Sequence, residues 1–234
     1  MISSFYTASA SAVQTQRGMD VVANNIANVS TNGYKPVNGA FADLVYTKDQ
    51  AESVTEGHGT RLANTSTTFV PGPLSGTGQI LDFALSDNNT FFAVKTPDGT
   101  QYTRVGNFHL SEHNGAYYLT SQQNGYVLGS DGNPIAVDPT TLENGFDASR
   151  VGVFSFENVD GLARQNETMF LATQASGNAT SVRNPEIRQG FLESSAVNLT
   201  DEMANLIQTQ KAFQFNCRMV QISDEIMQTV NNLR

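Results

Sequence analysis

One run near the C-terminal end of this chain constrains its fold more than any other feature. Leu199, Met203, Leu206, Gln210, Phe213, Cys217, Val220, Asp224, Met227 and Asn231 follow one another in alternating steps of four and three. Such steps draw one seam along an α-helix. A seam sustained over nearly five heptads points to coiled-coil packing rather than to a stripe on a globular core. No Gly or Pro interrupts residues 197–234. At 1.5 Å per residue the helix runs about 55 Å. Asn198 or Thr200 supplies its N-cap, and Asp201 with Glu202 places negative charge at the positive end of the helix. The polar seam residues Gln210, Cys217, Asp224 and Asn231 cost stability and fix register. Ile207, Ile222, Ile226 and Val230 form a second apolar set beside the first, so this helix can meet more than one neighbour.

The N-terminal end repeats the pattern. Ile2, Phe5, Ser9, Ala12, Gln16, Met19, Ala23 and Ile26 step by three and four, with small residues at several seam positions. Two seams at opposite ends of one chain most simply pair with each other. The expected fold is therefore α+β, with long N- and C-terminal helices pairing as an α-helical coiled-coil domain and an antiparallel β domain inserted between them. Residues 1–35 and 196–234 make the helical domain, 36–79 an extended connector or long hairpin, and 80–195 the β-rich domain.

The first helix stops in an Asn-rich stretch holding Asn24, Asn25, Asn28 and Asn32, followed by Gly33 and Pro36. Gly33 suits a left-handed cap or turn, and Pro36 cannot continue a helix. The amides fit either a helix end pressed against neighbours or a merely solvated one. Residues 37–79 are rich in Thr, Ser, Gly and Asn, with few large apolar residues after Tyr46. From about residue 80 the apolar period becomes two, through Leu81, Phe83 and Leu85 and then short runs ending near Leu128. Asp98-Gly99, Asn114-Gly115, Asn124-Gly125, Asp131-Gly132 and Asn144-Gly145 punctuate those runs, the strongest short-range hairpin signal.

Composition narrows the function. The net charge is −9, with only 13 Lys and Arg, which excludes a nucleic-acid binder needing clustered cations. The single cysteine, Cys217, cannot form an internal disulfide. No apolar run approaches the roughly 18 residues of a membrane span, and no basic n-region precedes an apolar stretch at the N-terminus. The sequence is thus read as free of membrane insertion and of a cleaved secretory signal.

No active site emerges. His109 and His113 are four apart but beside a turn signal, not on the helix a paired ligand site needs. Cys217 has no nearby His and sits on a packing seam. Gly57-His58-Gly59 and Gly76-Thr77-Gly78 lack the lysine and helix of a phosphate loop, and Asp131-Gly132-Asn133 lacks the spacing of a calcium loop. No catalytic, metal or cofactor-binding residue is nominated, and no cofactor is expected.

Three stretches carry a family resemblance. "MDVVANNIANVSTNGYK" with "AFADLVY" resembles the N-terminal signature of the bacterial flagellar rod and hook family of axial proteins. "QGFLESSAVNLTDEMANLIQTQKAFQFNCRMVQISDEIMQTVNNLR" resembles its C-terminal signature, and the segment from Leu81 to Leu128 resembles its shared β segment. Together they cover more than half the chain in the family's order. "QGFLESS" and "AFADLVY" lean towards the distal-rod branch, with the proximal-rod branch the near rival. "SDNNTFF" departs from the family pattern, which has a glycine-bearing turn before the two Phe.

The resemblance implies a non-enzymatic structural subunit of the flagellar basal body. It implies self-association into a helical tube that transmits torque and encloses an export channel. The implied partners are copies of itself, other flagellar rod and hook subunits and the surrounding ring proteins, reached by type III export without a cleaved signal peptide. Expected assembly residues are Ile2, Phe5, Met19, Asn24, Asn25, Ile26, Asn28, Leu199, Met203, Leu206, Gln210, Phe213, Cys217, Val220 and Met227. Rival readings are a hook-type or other flagellar axial subunit, or a surface adhesin whose β domain sits on a coiled-coil stalk.

Overall fold

A computed structural model describes residues 2–44, 47–48, 55–113, 115–138 and 145–233. It is an α+β protein with two long helices and antiparallel sheets. The chain divides into two units. One holds Met1–Ala27, Val37–Thr67 and Asn198–Arg234; the other holds Asn28–Pro36 and Thr68–Val197.

The first unit is built on helices α1 (Ile2–Ala27) and α2 (Leu199–Asn232). Asn198 caps α2, its side chain accepting from the Thr200 amide at 3.1 Å. The helices pack antiparallel: Asn25 of α1 bonds Glu202 near the start of α2, while Thr15 accepts from Asn216 farther along. On α1 the buried residues are Ala8, Thr15, Gly18 and Asn25. They lie one position before the expected seam of Ser9, Gln16, Met19 and Ile26, and Gln16 stands exposed. Each is buried for its own reason: Gly18 lies under the Phe41 ring of the hairpin, Thr15 accepts from Asn216 of α2, and Asn25 bonds Glu202 and Val37.

Part of the expected connector belongs to this unit. Strands Val37–Asp43 and Thr60–Thr67 pair antiparallel, with a bulge between Ala40 and Phe41. A lone two-stranded hairpin is marginal in water and needs a surface to pack on. Here α1 provides it. The Phe41 ring lies so close to Gly18 that a methyl group there would stand 2.6 Å from Cζ, and the Leu62 amide donates to Gln14 Oε1 at 3.2 Å. Tyr46, expected to close the apolar part of this segment, lies outside the described residues.

The second unit carries the large sheet. Its strand order is Ala163–Arg164, Met169–Leu171, Gly99–Thr103, Thr90–Thr96, Tyr126–Val127, Ala116–Thr120 and His109–His113, with Val153–Ser155 also paired to Thr90–Thr96. Strand Thr90–Thr96 is buried on both faces. Phe92 joins a cluster with Phe83, Phe108 and Leu119, whereas Phe91 and Ala93 join Tyr102, Phe156 and Phe170. The turn before it shows what replaces the family glycine: Asn89 adopts φ of 61°, the left-handed region that Asn tolerates better than most side chains. Among the expected turn glycines, Gly99, Gly115, Gly132 and Gly145 take positive φ, while in Asn124-Gly125 the Asn does so. Asn114 and Asn144 lie outside the described residues.

Candidate assembly interface

Helix α2 divides its side chains between two sides. Glu202, Leu206, Thr209, Phe213, Asn216, Val220 and Ser223 recur at heptad spacing and are buried or half-buried. Cys217 is half-buried beside them. The residue types are mixed, so this side is no continuous greasy stripe. Away from it, Phe215, Met219, Ile222, Ile226 and Val230 follow one another in steps of four and three and are all exposed, Phe215 by 65% and Ile226 by 43%. Ile207 and Met203 extend the exposed apolar surface towards the N-terminal half of the helix.

Singly exposed apolar residues are ordinary, but a contiguous row of large ones on one helix marks an interaction surface. Full burial of a large apolar side chain is worth roughly 1.5–3 kcal/mol. Five side chains about half exposed therefore hold roughly 5 kcal/mol in reserve, enough to drive association of copies.

The expected assembly residues separate into groups. Leu206, Phe213, Cys217 and Val220 lie on the half-buried side of α2, whereas Leu199, Met203 and Met227 are exposed large apolar residues and Gln210 is exposed. On α1, Phe5, Met19 and Ile26 are half-buried, Asn25 is buried and Asn24 is exposed. Ile2 opens α1, and its side chain lies outside the described residues. Asn28 is buried in the other unit, where its Oδ1 accepts from the Thr31 hydroxyl at 3.0 Å. Phe215 and Met219, absent from the expected set, are among the most exposed apolar side chains of α2.

Sequence reasoning also missed two polar constructions. In the helical unit, Asn25 Nδ2 donates to Glu202 Oε1 at 3.0 Å and to the Val37 carbonyl at 2.8 Å, while Asn25 Oδ1 accepts from the Val37 amide. One amide thus ties helix α1, the hairpin and helix α2 together. Burial raises the Glu202 carboxyl above its ordinary value; the Asn25 bond pulls it back and Asp201 pushes it further up.

In the β unit, Glu193 accepts from Lys35 Nζ at 2.5 Å, from Arg104 Nε at 2.8 Å and from the Gly72 amide at 2.8 Å. Arg104 spends its remaining donors on the carbonyls of Leu85, Asp87 and Thr90. Burial lowers the Lys35 amine below its usual value against the opposing pull of Glu193. Two backbone bonds lie beside the triad, Gly33 N to Glu193 O and Ala196 N to Tyr34 O. Residues 33–35 and 193–196 are thereby fastened to each other and to the sheet. The arrangement holds structure; every group in it is occupied.

Among the described residues no cluster of His, Cys, Asp or Glu could hold a metal ion, and no helix is long and apolar enough to cross a membrane. His109 and His113 sit at opposite ends of one strand, about 13 Å apart at strand spacing.

Comparison with known proteins finds family matches at both ends of the chain. Residues 5–35 match the family described as flagella basal body rod protein, and residues 188–233 match the C-terminal family of the flagellar basal body rod proteins FlgEFG. The chain is similar to the flagellar basal-body rod protein FlgG of Bacillus subtilis strain 168, 30% identical over the whole of both chains. It is 31% identical to FlgG of Buchnera aphidicola subsp. Schizaphis graminum, again over the whole of both. It is 30% identical to the basal-body rod protein FlgF of Mesorhizobium japonicum over 99% of each chain.

Proposed function

The chain belongs to the family of flagellar basal-body rod proteins and is a structural subunit of the basal-body rod; from that premise we propose that it works by stacking copies of itself into a helical tube. The observation that carries this reading is the exposed apolar row on α2, from Phe215 to Val230. Such a row is stable in water only when something covers it. A contact in which one face meets a different face of the next copy, related by a rotation that does not close, builds a filament rather than a ring.

In this reading α1 and α2 pair as a coiled coil, residues 1–35 and 196–234 form the tube wall, the outer face of residues 36–79, whose hairpin rests on α1, lies along neighbouring copies, and the β domain of 80–195 sets the diameter. Exposed and half-buried members of the assembly set, Leu199, Met203, Leu206, Phe213, Val220 and Met227 among them, meet neighbours. Stiffness is then the function: the tube carries torque and leaves a central channel, and no reaction is turned over. The subunit is of the distal-rod kind. It reaches the basal body by the flagellar export route and meets other rod and hook subunits and the surrounding rings.

The test is assembly of the purified full chain and of an Ile222→Asp, Ile226→Asp variant, followed by sedimentation and electron microscopy. The unaltered chain is expected to give open-ended filaments. The variant is expected to stay monomeric with only a small loss in thermal unfolding, because both substituted residues are already about two-fifths exposed in the single subunit. Assembly of the variant at an unchanged critical concentration would refute the reading.

A further inference from the structure

A groove of about 340 Å³ lies in the helical unit, between α1, the hairpin and α2. Its lining mixes Val21, Val22 and Phe41 with the amides of Asn38, Asn205 and Gln208. Glu202 also lines it, and the residue is 8% exposed. One carboxyl oxygen, Oε1, is used by Asn25. The other, Oε2, has no hydrogen-bond partner or ion-pair cation among the described residues and is not itself buried, so it stays open to solvent. The nearest charge acting on Glu202 is Asp201, of the same sign. Asn25 cannot turn to serve both oxygens, since its amide is already held by both backbone groups of Val37.

Partial desolvation still penalises the charged Glu202 carboxyl, and a cation reaching its solvent-open oxygen would offset that penalty. The same unit carries the complement. Arg17, Lys211 and Arg218 are exposed on the two helices, and none is ion-paired to a described residue. An anion in a groove without a cation partner and unmatched cations on helix surfaces are what a face-to-different-face contact between copies would reconcile. The amides of Asn205 and Gln208 at the groove wall suit the remaining donors of a guanidinium or ammonium group.

We propose that the Glu202 groove is a socket for a basic side chain of a second copy, supplied by Arg17, Lys211 or Arg218, and that this pairing fixes the register in which subunits stack. The proposal rests on the self-assembly reading given above. The apolar row supplies the drive to associate, and the socket selects one alignment among the many that a greasy row permits.

The experiment measures the critical concentration for filament formation at low and high salt, for the full chain and for Glu202→Gln. Gln keeps an acceptor for Asn25, removes the charge and turns the second oxygen into an amide donor that repels a basic side chain. Loss of a charge-assisted bond is expected to raise the critical concentration about tenfold at low salt, with the difference shrinking as salt screens the pair. Arg17→Gln, Lys211→Gln and Arg218→Gln then identify the donor. One of them is expected to raise the critical concentration by a similar factor alone and to add nothing in the Glu202→Gln background. An unchanged critical concentration for Glu202→Gln, or strictly additive effects for all three cations, overturns the socket while leaving self-assembly standing. Absence of filaments from the unaltered chain overturns both. Should Glu202→Gln lower thermal unfolding, the three surface substitutions decide the matter by themselves.

Discussion

Replacing Glu193 by Ala tests how the β unit is held at the place where its first and last segments meet. The Glu193 side chain is 0% exposed, and its partners Lys35 and Arg104 are 1% and 3% exposed. Removing the carboxylate strands two buried cations and orphans the Gly72 amide. Breaking a buried pair by deleting one partner costs about 3–5 kcal/mol, because the charge left behind keeps its desolvation penalty. For a unit of this size that lowers the melting temperature by roughly 10–20 °C. Calorimetry of the full chain should show the loss in the β-unit transition. Lys35→Met is expected to cost less, since Glu193 keeps Arg104 and the Gly72 amide and a poorly solvated amine is removed. In the Lys35→Met background, Glu193→Gln should be milder by at least about 1 kcal/mol than in the unaltered chain, because one fewer cation is stranded. A Glu193→Ala chain that melts within about 2 °C of the unaltered one would show that the triad does not hold the unit.

Four further outcomes follow from named features. Leu206→Asp places a charge on the half-buried side of α2; it is expected to abolish assembly while leaving the β-unit transition in place, and two unchanged readouts would count against the helix packing. Glu202 has a folded pKa raised above its ordinary value, so the folded state holds the extra proton, and its contribution is full below the unfolded pKa and lost as pH rises through the raised one. Stability of the helical unit should fall across that window, and Glu202→Gln should flatten the fall; a steeper fall in the variant would contradict the sign. Gly33 has φ of 66°, and an added Cβ would meet the Val105 amide nitrogen at 2.9 Å, so Gly33→Ala should destabilise the β unit by about 1–3 kcal/mol in a chemical denaturation series. Cys217→Ser is expected to leave assembly unchanged and to cost under about 1 kcal/mol in unfolding; lost assembly with intact packing would instead indicate chemistry at the thiol.

The helices were legible because their signals are local. An uninterrupted run without Gly or Pro, an Asn cap and a first-turn acidic pair define α2, and the structure places it at Leu199–Asn232. The face of α1 was harder to read. Apolar periodicity selects Met19 and Ile26, whereas the helix buries Ala8, Thr15, Gly18 and Asn25; Thr15 and Asn25 are held by polar partners on α2 and the hairpin, which a hydropathy pattern overlooks. Of the second apolar set, Ile222, Ile226 and Val230 could be found because they recur at steps of four, whereas Gln210 and Lys211 break the row between them and Ile207 and hid Phe215 and Met219.

The polar constructions could not be found that way. Lys35 and Glu193 are 158 positions apart, and Asn25 and Glu202 are 177 apart. Only the fold brings them together. A faint signal existed for Arg104, a lone cation among the alternating residues of "QYTRVGNF", where a sheet interior is otherwise expected. The departure at "SDNNTFF" was resolved by chemistry local to one residue, since Asn89 takes the left-handed conformation a glycine would otherwise supply.

Sedimentation of the purified full chain over a wide concentration range tests the central claim most directly. Copies that cover one another's exposed α2 row should yield an open-ended, concentration-dependent series of growing particles with no preferred closed size. A single 25.3 kDa species that persists to high concentration would contradict the account.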